Sequence, residues 1–150
     1  MLAAILTMML SMPPIRYYPA NFVDCYDGDT CTFDLTLDQR NNVIGLGITE
    51  QVSIVKHHQH IRLCDINAPE LHPAPNTTAI KAKTDLINWI KAAKNIQLVI
   101  AQKPNCALTD PGCDEYEKYG RLLGYIIADG VNLNQKQVEV GNAQPFIMCK

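Results

Sequence analysis

Apolar and polar residues alternate with a period of two in several stretches of this chain, the pattern of a strand with one buried and one wet face. Between Phe22 and Leu37 it predicts two strands folded at Asp27-Gly28-Asp29, the Asp-Gly pair being a strong turn signal. After that turn Cys31, Phe33, Leu35 and Leu37 alternate with Thr32, Asp34 and Thr36, so the first set faces a core. Gln51 to Lys56 alternates again, and Asn41-Asn42, Gly45 and Gly47 supply turn residues, so residues 38–59 read as an extended hairpin projecting from the body. His60 to Leu71 is a strand that stops abruptly: Ile61, Leu63 and Ile66 bracket Arg62, then Pro69 removes a ladder donor and restricts Ala68. Ile96 to Ala101 and Leu122 to Ala128 complete the strands.

Elsewhere the period lengthens. Ala79, Ala82, Leu86, Trp89 or Ile90, and Ala93 recur at spacings of three and four with lysines opposite, which predicts an amphipathic helix capped by Thr77 or Thr78 and stopped near Asn95. Trp89 belongs to its packing face and carries no functional role. A second, short helix follows Asp129-Gly130, capped by Asn132 or Asn134 and ended at Gly141. Strands with one helix inserted and one appended indicate a small α+β domain.

Length and composition limit the possibilities. A chain of 150 residues is one domain, large enough to bury about two thirds of its unfolded surface. Hydrophobic content of 47% with 19% charged residues excludes disorder. Thirteen Lys and Arg face 15 Asp and Glu, a net charge of −2. Proteins that bind nucleic acid through phosphates are usually basic, so any such binding here rests on a local cationic site and not on a global field.

Residues 1–12 form an apolar run too short to span a bilayer but suited to the core of a signal peptide. No Lys or Arg precedes it and no small-x-small cleavage site follows, so an apolar strand or a short membrane anchor are the alternatives. We therefore divide the chain into a signal peptide or apolar segment over 1–19 and a folded domain over 20–150, with no stable membrane span, expected as a monomer. Six cysteines favour export, as a secreted or periplasmic protein, over a cytoplasmic location. Cys106 and Cys113 form the favoured local disulfide. Cys25 and Cys31 flank the Asp27 turn and could face each other, while Cys64 and Cys149 remain; six cysteines allow fifteen pairings.

Three stretches carry chemistry: Asp27-Gly28-Asp29-Thr30, the run from Arg62 to Glu70 (RLCDINAPE), and Lys118-Tyr119-Gly120-Arg121. Phosphodiester cleavage needs a group that positions or deprotonates water, and cations that stabilise the charge on phosphorus as it becomes five-coordinate. Arg62 and Arg121 can each donate paired hydrogen bonds to phosphate oxygens. Glu70 is the candidate for the water, and Asp29 is an oxygen ligand suited to a hard cation. The tract Lys56-His57-His58-Gln59-His60 resembles a metal tract, but no Cys or carboxylate sits at zinc-like spacing, and it reads as a solvated strand edge. His58, His60 and Arg62 would share one strand face.

In order and spacing these stretches resemble the staphylococcal nuclease (thermonuclease-like) family, whose members carry a D-G-D-T turn, an R-L-x5-P-E stretch and a Y-G-R loop. The resemblance covers about residues 22–146. It implies a five-stranded OB-fold β-barrel with an inserted helix and a short C-terminal helix. It also implies a calcium-dependent hydrolase of DNA and RNA with little sequence preference. Water would attack phosphorus in line, the 5′ oxygen would leave, and products would end in 3′-phosphate. The catalytic roles fall on Arg62, Glu70 and Arg121, the first metal position on Asp29, and substrate contact on Lys118 and Tyr119. Where many relatives place a second metal aspartate followed by Thr, this chain has Asn67 and Ala68. Asn67 can bind through its amide oxygen and Ala68 through its main-chain carbonyl, at the cost of one negative charge, which leaves magnesium or manganese open beside calcium. Asp65, placed by alternation on the face of Asn67, or Asp27 could restore that charge. A C-terminal tyrosine of the family is absent, with Phe146 nearby. The rival reading is a noncatalytic OB-fold module that binds nucleic acid or protein.

Overall fold

The computed structural model describes residues 17–43, 48–73, 76–103 and 114–149, with backbone alone for 38–43 and 48–52. The predicted pairing of Cys106 with Cys113 and the apolar run at 1–12 lie outside the described residues. In chain order the elements are β1 (Tyr17–Asp27), β2 (Thr30–Val43), β3 (Ile48–Leu63), β4 (Ile66–Asn67), α1 (Thr77–Ala92), β5 (Ile96–Ile100), β6 (Leu122–Ala128), β7 (Val131–Asn132), α2 (Leu133–Glu139) and β8 (Gln144–Pro145).

Five of these strands close on themselves. The order β3-β2-β1-β5-β6 is antiparallel throughout, and parallel pairing of Ile61–Leu63 with Leu122–Gly124 joins β3 to β6. The result is the five-stranded OB-fold barrel of an α+β domain, with α1 inserted between β4 and β5 and α2 appended after β7. Phe33, Leu35, Ile61, Leu98 and Ile126 fill the interior and Leu86 of α1 plugs it from outside the sheet. Each such side chain contributes roughly 1.5–3 kcal/mol of burial. Among the described residues no helix is long and apolar enough to cross a membrane.

The extended hairpin is present: β2 and β3 remain paired out to Val43 and Ile48. Its alternation breaks once. Between the pairs Phe33–Gln59 and Leu35–Lys56, His57 and His58 together oppose Asp34, and His58 takes φ of 51°. This is a β-bulge. Asp34 holds it, accepting from the His58 N–H at 2.8 Å.

Helix ends differ from the sequence reading by a residue or two. Asn76, not Thr77 or Thr78, caps α1, its side chain accepting from the Ala79 N–H at 2.8 Å; asparagine is among the strongest caps and needs only to stand three residues before a free N–H. Ala79, Ala82, Leu86 and Ile90 are the buried stripe. The helix stops at Ala92, before Asn95: the Ala93 N–H closes a last tight turn on the Ile90 carbonyl, and those of Lys94 and Asn95 turn to the Asp129 carboxylate. Asn132 caps α2, bonding the Gln135 N–H at 3.1 Å. Asn134 instead is buried and cross-links the barrel: it accepts from the Ile126 N–H and donates to the carbonyls of Cys64 and Gly124.

Two disulfides tie the described residues together. Cys25–Cys31 crosses the β1–β2 hairpin, and Cys64–Cys149 fastens the C-terminal tail to the end of β3. Such bonds suit an oxidising environment.

Candidate active site

The turn between β1 and β2 is the base on which the site is assembled. Gly28 at its apex has no room for a side chain, since a Cβ there would lie 2.7 Å from the Ala82 Cβ of α1 and 2.9 Å from the Ala68 Cβ. Neither methyl can swing away, so the turn lies flat against both segments. Gln137 of α2, fully buried, donates to the Gly28 carbonyl at 2.8 Å and to the Ala82 carbonyl at 3.0 Å. Three elements therefore hold the peptide that presents Asp27 and Asp29.

Asp29 then reaches the other segments. Its Oδ2 accepts from the Ala68 N–H at 2.8 Å and its carbonyl from the Leu63 N–H at 2.8 Å, which places Asn67 and Ala68 beside it. Arg62, 7% exposed, lies within 3.5 Å of Asp29 Oδ2 through Nη2. Most of its fork is spent on the turn that follows: Nη1 donates to the Leu63 carbonyl at 2.8 Å, and Nη2 to the Ile66 carbonyl at 3.0 Å and Asn67 Oδ1 at 3.3 Å. So Arg62 shapes the Ile66–Ala68 segment as well as lining the cleft.

Arg121 enters from the loop before β6. Glu117 grips it with Oε1 on Nε at 3.1 Å and Oε2 on Nη2 at 3.2 Å, while Oε1 also accepts the N–H groups of Tyr119 and Arg121. The remaining Nη1 donates to Thr30 Oγ1 at 3.1 Å, and that hydroxyl donates to Asp29 Oδ1 at 3.2 Å. A chain of hydrogen bonds thus links Arg121 to Asp29. The bond to Glu117, stronger than the opposing burial, raises the guanidinium further and holds the Glu117 carboxyl below its ordinary value.

These groups surround one cleft of about 680 Å³ in which Asp29, Arg62, Asn67, Glu70, Tyr119 and Arg121 all take part. Asp27 is there too, with its carboxyl pushed up to about 7, first by burial and then by the hydrogen bond and charge of Asp29 and the charge of Glu70. Carboxylates close enough to resist each other's ionisation leave a demand for positive charge. The available donors are all oxygens: the Asp27 and Asp29 carboxylates, the Asn67 amide and the main chain of Ala68, a chemistry that fits a hard divalent cation. Among the described residues no three His, Cys, Asp or Glu side chains form a ready cage.

Some expected members lie elsewhere. Asp65 does not share a face with Asn67: the strand breaks at Cys64–Asp65, Asp65 takes φ of 64°, and its carboxylate accepts from Tyr125 and from the Met148 and Cys149 N–H groups on the far side. Alternation cannot be carried through a left-handed residue. Of the histidines, His60 lines the cleft beside Arg62, bonded to Thr32 Oγ1 at 2.8 Å, whereas the bulge takes His58 out of that row. Lys118 is outside the lining, its Nζ 4.9 Å from the Tyr119 ring centroid. The sequence pattern pointed to neither Glu117, which holds Arg121, nor Gln137, which braces the Gly28 turn. Only Glu117 left a local trace, its four-residue spacing to Arg121.

A family model described as staphylococcal nuclease homologue matches residues 60–149. A search of curated proteins finds no match. The matched span runs from the Arg62 strand through Glu70 and Arg121 to the tail, the closed barrel is the OB-fold, and the chain belongs to the staphylococcal nuclease homologue family.

Proposed function

We propose that this protein is a calcium-dependent nuclease, hydrolysing phosphodiesters of DNA and RNA with little sequence preference, and that it works after export. The observation that carries this reading is the convergence of Asp29, Arg62, Glu70 and Arg121, from four separate segments, on one open cleft. Asp29, Asn67 and the Ala68 carbonyl hold the cation, with Asp27 supplying the charge that Asn67 lacks. A calcium ion held by these residues would supply charge that offsets the negative charge developing on the phosphate, and magnesium or manganese are the alternatives for the same oxygen donors. Arg121 and Arg62 donate to the nonbridging oxygens, and Glu70, exposed at the cleft edge, orients or deprotonates the attacking water. Tyr119, 72% exposed with Arg121 5.5 Å from its ring, contacts the substrate, and Lys118 adds charge outside the cleft. Contacts to phosphate oxygens carry no sequence information, which supports a weak sequence preference.

One observation favours the rival, a noncatalytic module that binds nucleic acid or protein. Glu117 occupies two of the three nitrogens of Arg121, so phosphate must compete with it. Digestion of single-stranded and duplex DNA and of RNA by the purified protein, with calcium, magnesium or chelator and beside Glu70→Gln, separates the readings. Calcium-dependent cutting that falls by about 10²–10⁴-fold in the variant supports the nuclease. Folded protein that binds these substrates and cuts none of them supports the module.

A further inference from the structure

Tyr26 stands one residue before Asp27, on β1, and is 56% exposed although both its neighbours, Cys25 and Asp27, are buried. Its ring lies 4.9 Å from that of His72 at an interplanar angle of 37°, and His72, itself exposed, follows Glu70 by two residues. The Tyr26 hydroxyl has no hydrogen-bond partner among the described residues, and nothing in the barrel core requires the ring. Tyr26 thus lines the same cleft as Glu70 and both arginines, with His72 packed against its ring.

The charges of the cleft decide what such a pair can receive. The guanidiniums of Arg62 and Arg121 mark where phosphate is welcome. The same lining carries the carboxyls of Asp24, Asp27, Asp29 and Glu70 besides His60 and the arginines, and the ionisable lining residues that flank Tyr26 along β1 are Asp24 and Asp27. A phosphate placed there meets repulsion, and so does any strongly anionic group. A flat, neutral ring does not, and it gains stacking on an open aromatic face. Tyr119 offers another aromatic ring, but it rides on the Arg121 loop, so the two tyrosines serve different parts of a bound strand.

We propose that Tyr26 and His72 form a nucleobase subsite that stacks an unpaired base next to the phosphate held by the arginines, and so biases the protein toward single-stranded nucleic acid. This rests on the nuclease reading for its neighbouring phosphate, but not on catalysis. A base in a duplex has both faces covered and its edges paired, so it reaches the Tyr26 ring only after unstacking, which costs a few kcal/mol.

The test is binding of fluorescent oligonucleotides to full-length Glu70→Gln protein with calcium, measured by anisotropy, so that cleavage is not the readout. Tyr26→Leu removes the planar ring and keeps the bulk; Tyr26→Trp keeps a ring and controls for folding. Single-stranded affinity is expected to fall about 5- to 150-fold in Tyr26→Leu and to recover in Tyr26→Trp, with a smaller fall for duplex. Repeating the measurement with abasic positions closes a double-mutant cycle: if the ring and a base touch, their separate losses are not additive. Equal single-strand affinities for the Glu70→Gln protein with and without Tyr26→Leu, or additive losses, overturn the subsite while leaving the nuclease reading intact. Ring-dependent binding alongside a wild type that never cuts has the opposite meaning: the subsite stands and the nuclease reading fails.

Discussion

Two aspartate-centred regions of this molecule, the cleft and the clamp on the C-terminal tail, use the same side chain to opposite ends. At the clamp, burial works against ionisation of Asp65, but donors from Tyr125, Cys149 and Met148 outweigh it and hold the carboxyl below its ordinary value. The main chain joins in, with the Phe146 N–H on the Asp65 carbonyl at 2.9 Å, β8 paired to β4, and the Cys64–Cys149 disulfide alongside. In the cleft, Asp27 accepts one backbone N–H, from Asp29, and burial first, then the hydrogen bond and charge of Asp29 and the charge of Glu70, push its carboxyl up to about 7. A carboxylate surrounded by donors acts as a fastener. One buried beside other carboxylates resists ionisation, and that is the charge the proposed cation would offset. The two regions abut, since Asn67 of the cleft pairs with Gln144 of the clamp.

If that division of labour is correct, breaking the clamp costs stability and breaking the cleft costs chemistry. The largest stability effect is expected from replacing Cys64 and Cys149 together by alanine: the bond closes a separation of 85 residues, and its loss is worth about 4–5 kcal/mol in urea unfolding, against about 2 kcal/mol for the Cys25–Cys31 pair, whose separation is 6. A smaller loss for the long-range pair would show that the tail is already held without it. Arg121→Lys keeps the charge and loses the fork, and should lower cleavage by about 10²–10³-fold with the melting temperature nearly unchanged. Asp65→Asn is its mirror: unfolding is easier by about 1–3 kcal/mol, while calorimetric calcium affinity stays as it was. A weakened affinity would return Asp65 to the metal site. Next, Gly28→Ala forces a methyl against Ala82 and Ala68 and should cost about 1–3 kcal/mol. It should also weaken calcium binding, because the turn must lift from α1.

The smallest effects, and the most diagnostic, are in pH. The folded pKa of Asp27 is raised above its unfolded 3.8, so its contribution to stability is full below that value and is lost as pH rises to about 7. Asp65 is lowered, so its contribution is present above 3.8 and is lost as acid protonates it. In chelated protein, Asp27→Asn should flatten the decline between pH 4 and 7, and Asp65→Asn should flatten the loss in acid, each read from unfolding midpoints across a pH series. Identical profiles for the two variants would erase the distinction between fastener and site.

Much of this site was legible in the sequence. Asp29, Arg62, Glu70 and Arg121 stand in short motifs whose local turns, an Asp-Gly hairpin, a Pro break and a Tyr-Gly-Arg loop, are written in neighbouring residues. Asp65 shows where such reading ends. Its place two residues before Asn67 implies a shared face only if the strand is continuous, and a single left-handed residue cancels that. His58 was displaced in the same way, by a bulge that no alternation pattern announces.

The barrel's strands, the amphipathic α1 and the identity of the charged groups could be read along the chain because periodicity, turn chemistry and motif spacing are local properties. Three-dimensional packing was needed to divide Arg121 between Glu117 and Thr30, to brace Gly28 with Gln137 from 109 positions away, and to bring Tyr26 against His72 beside Glu70. Those contacts depend on how a closed barrel brings distant segments to one end, and a hydrogen bond between residues so far apart leaves no periodic trace in the chain.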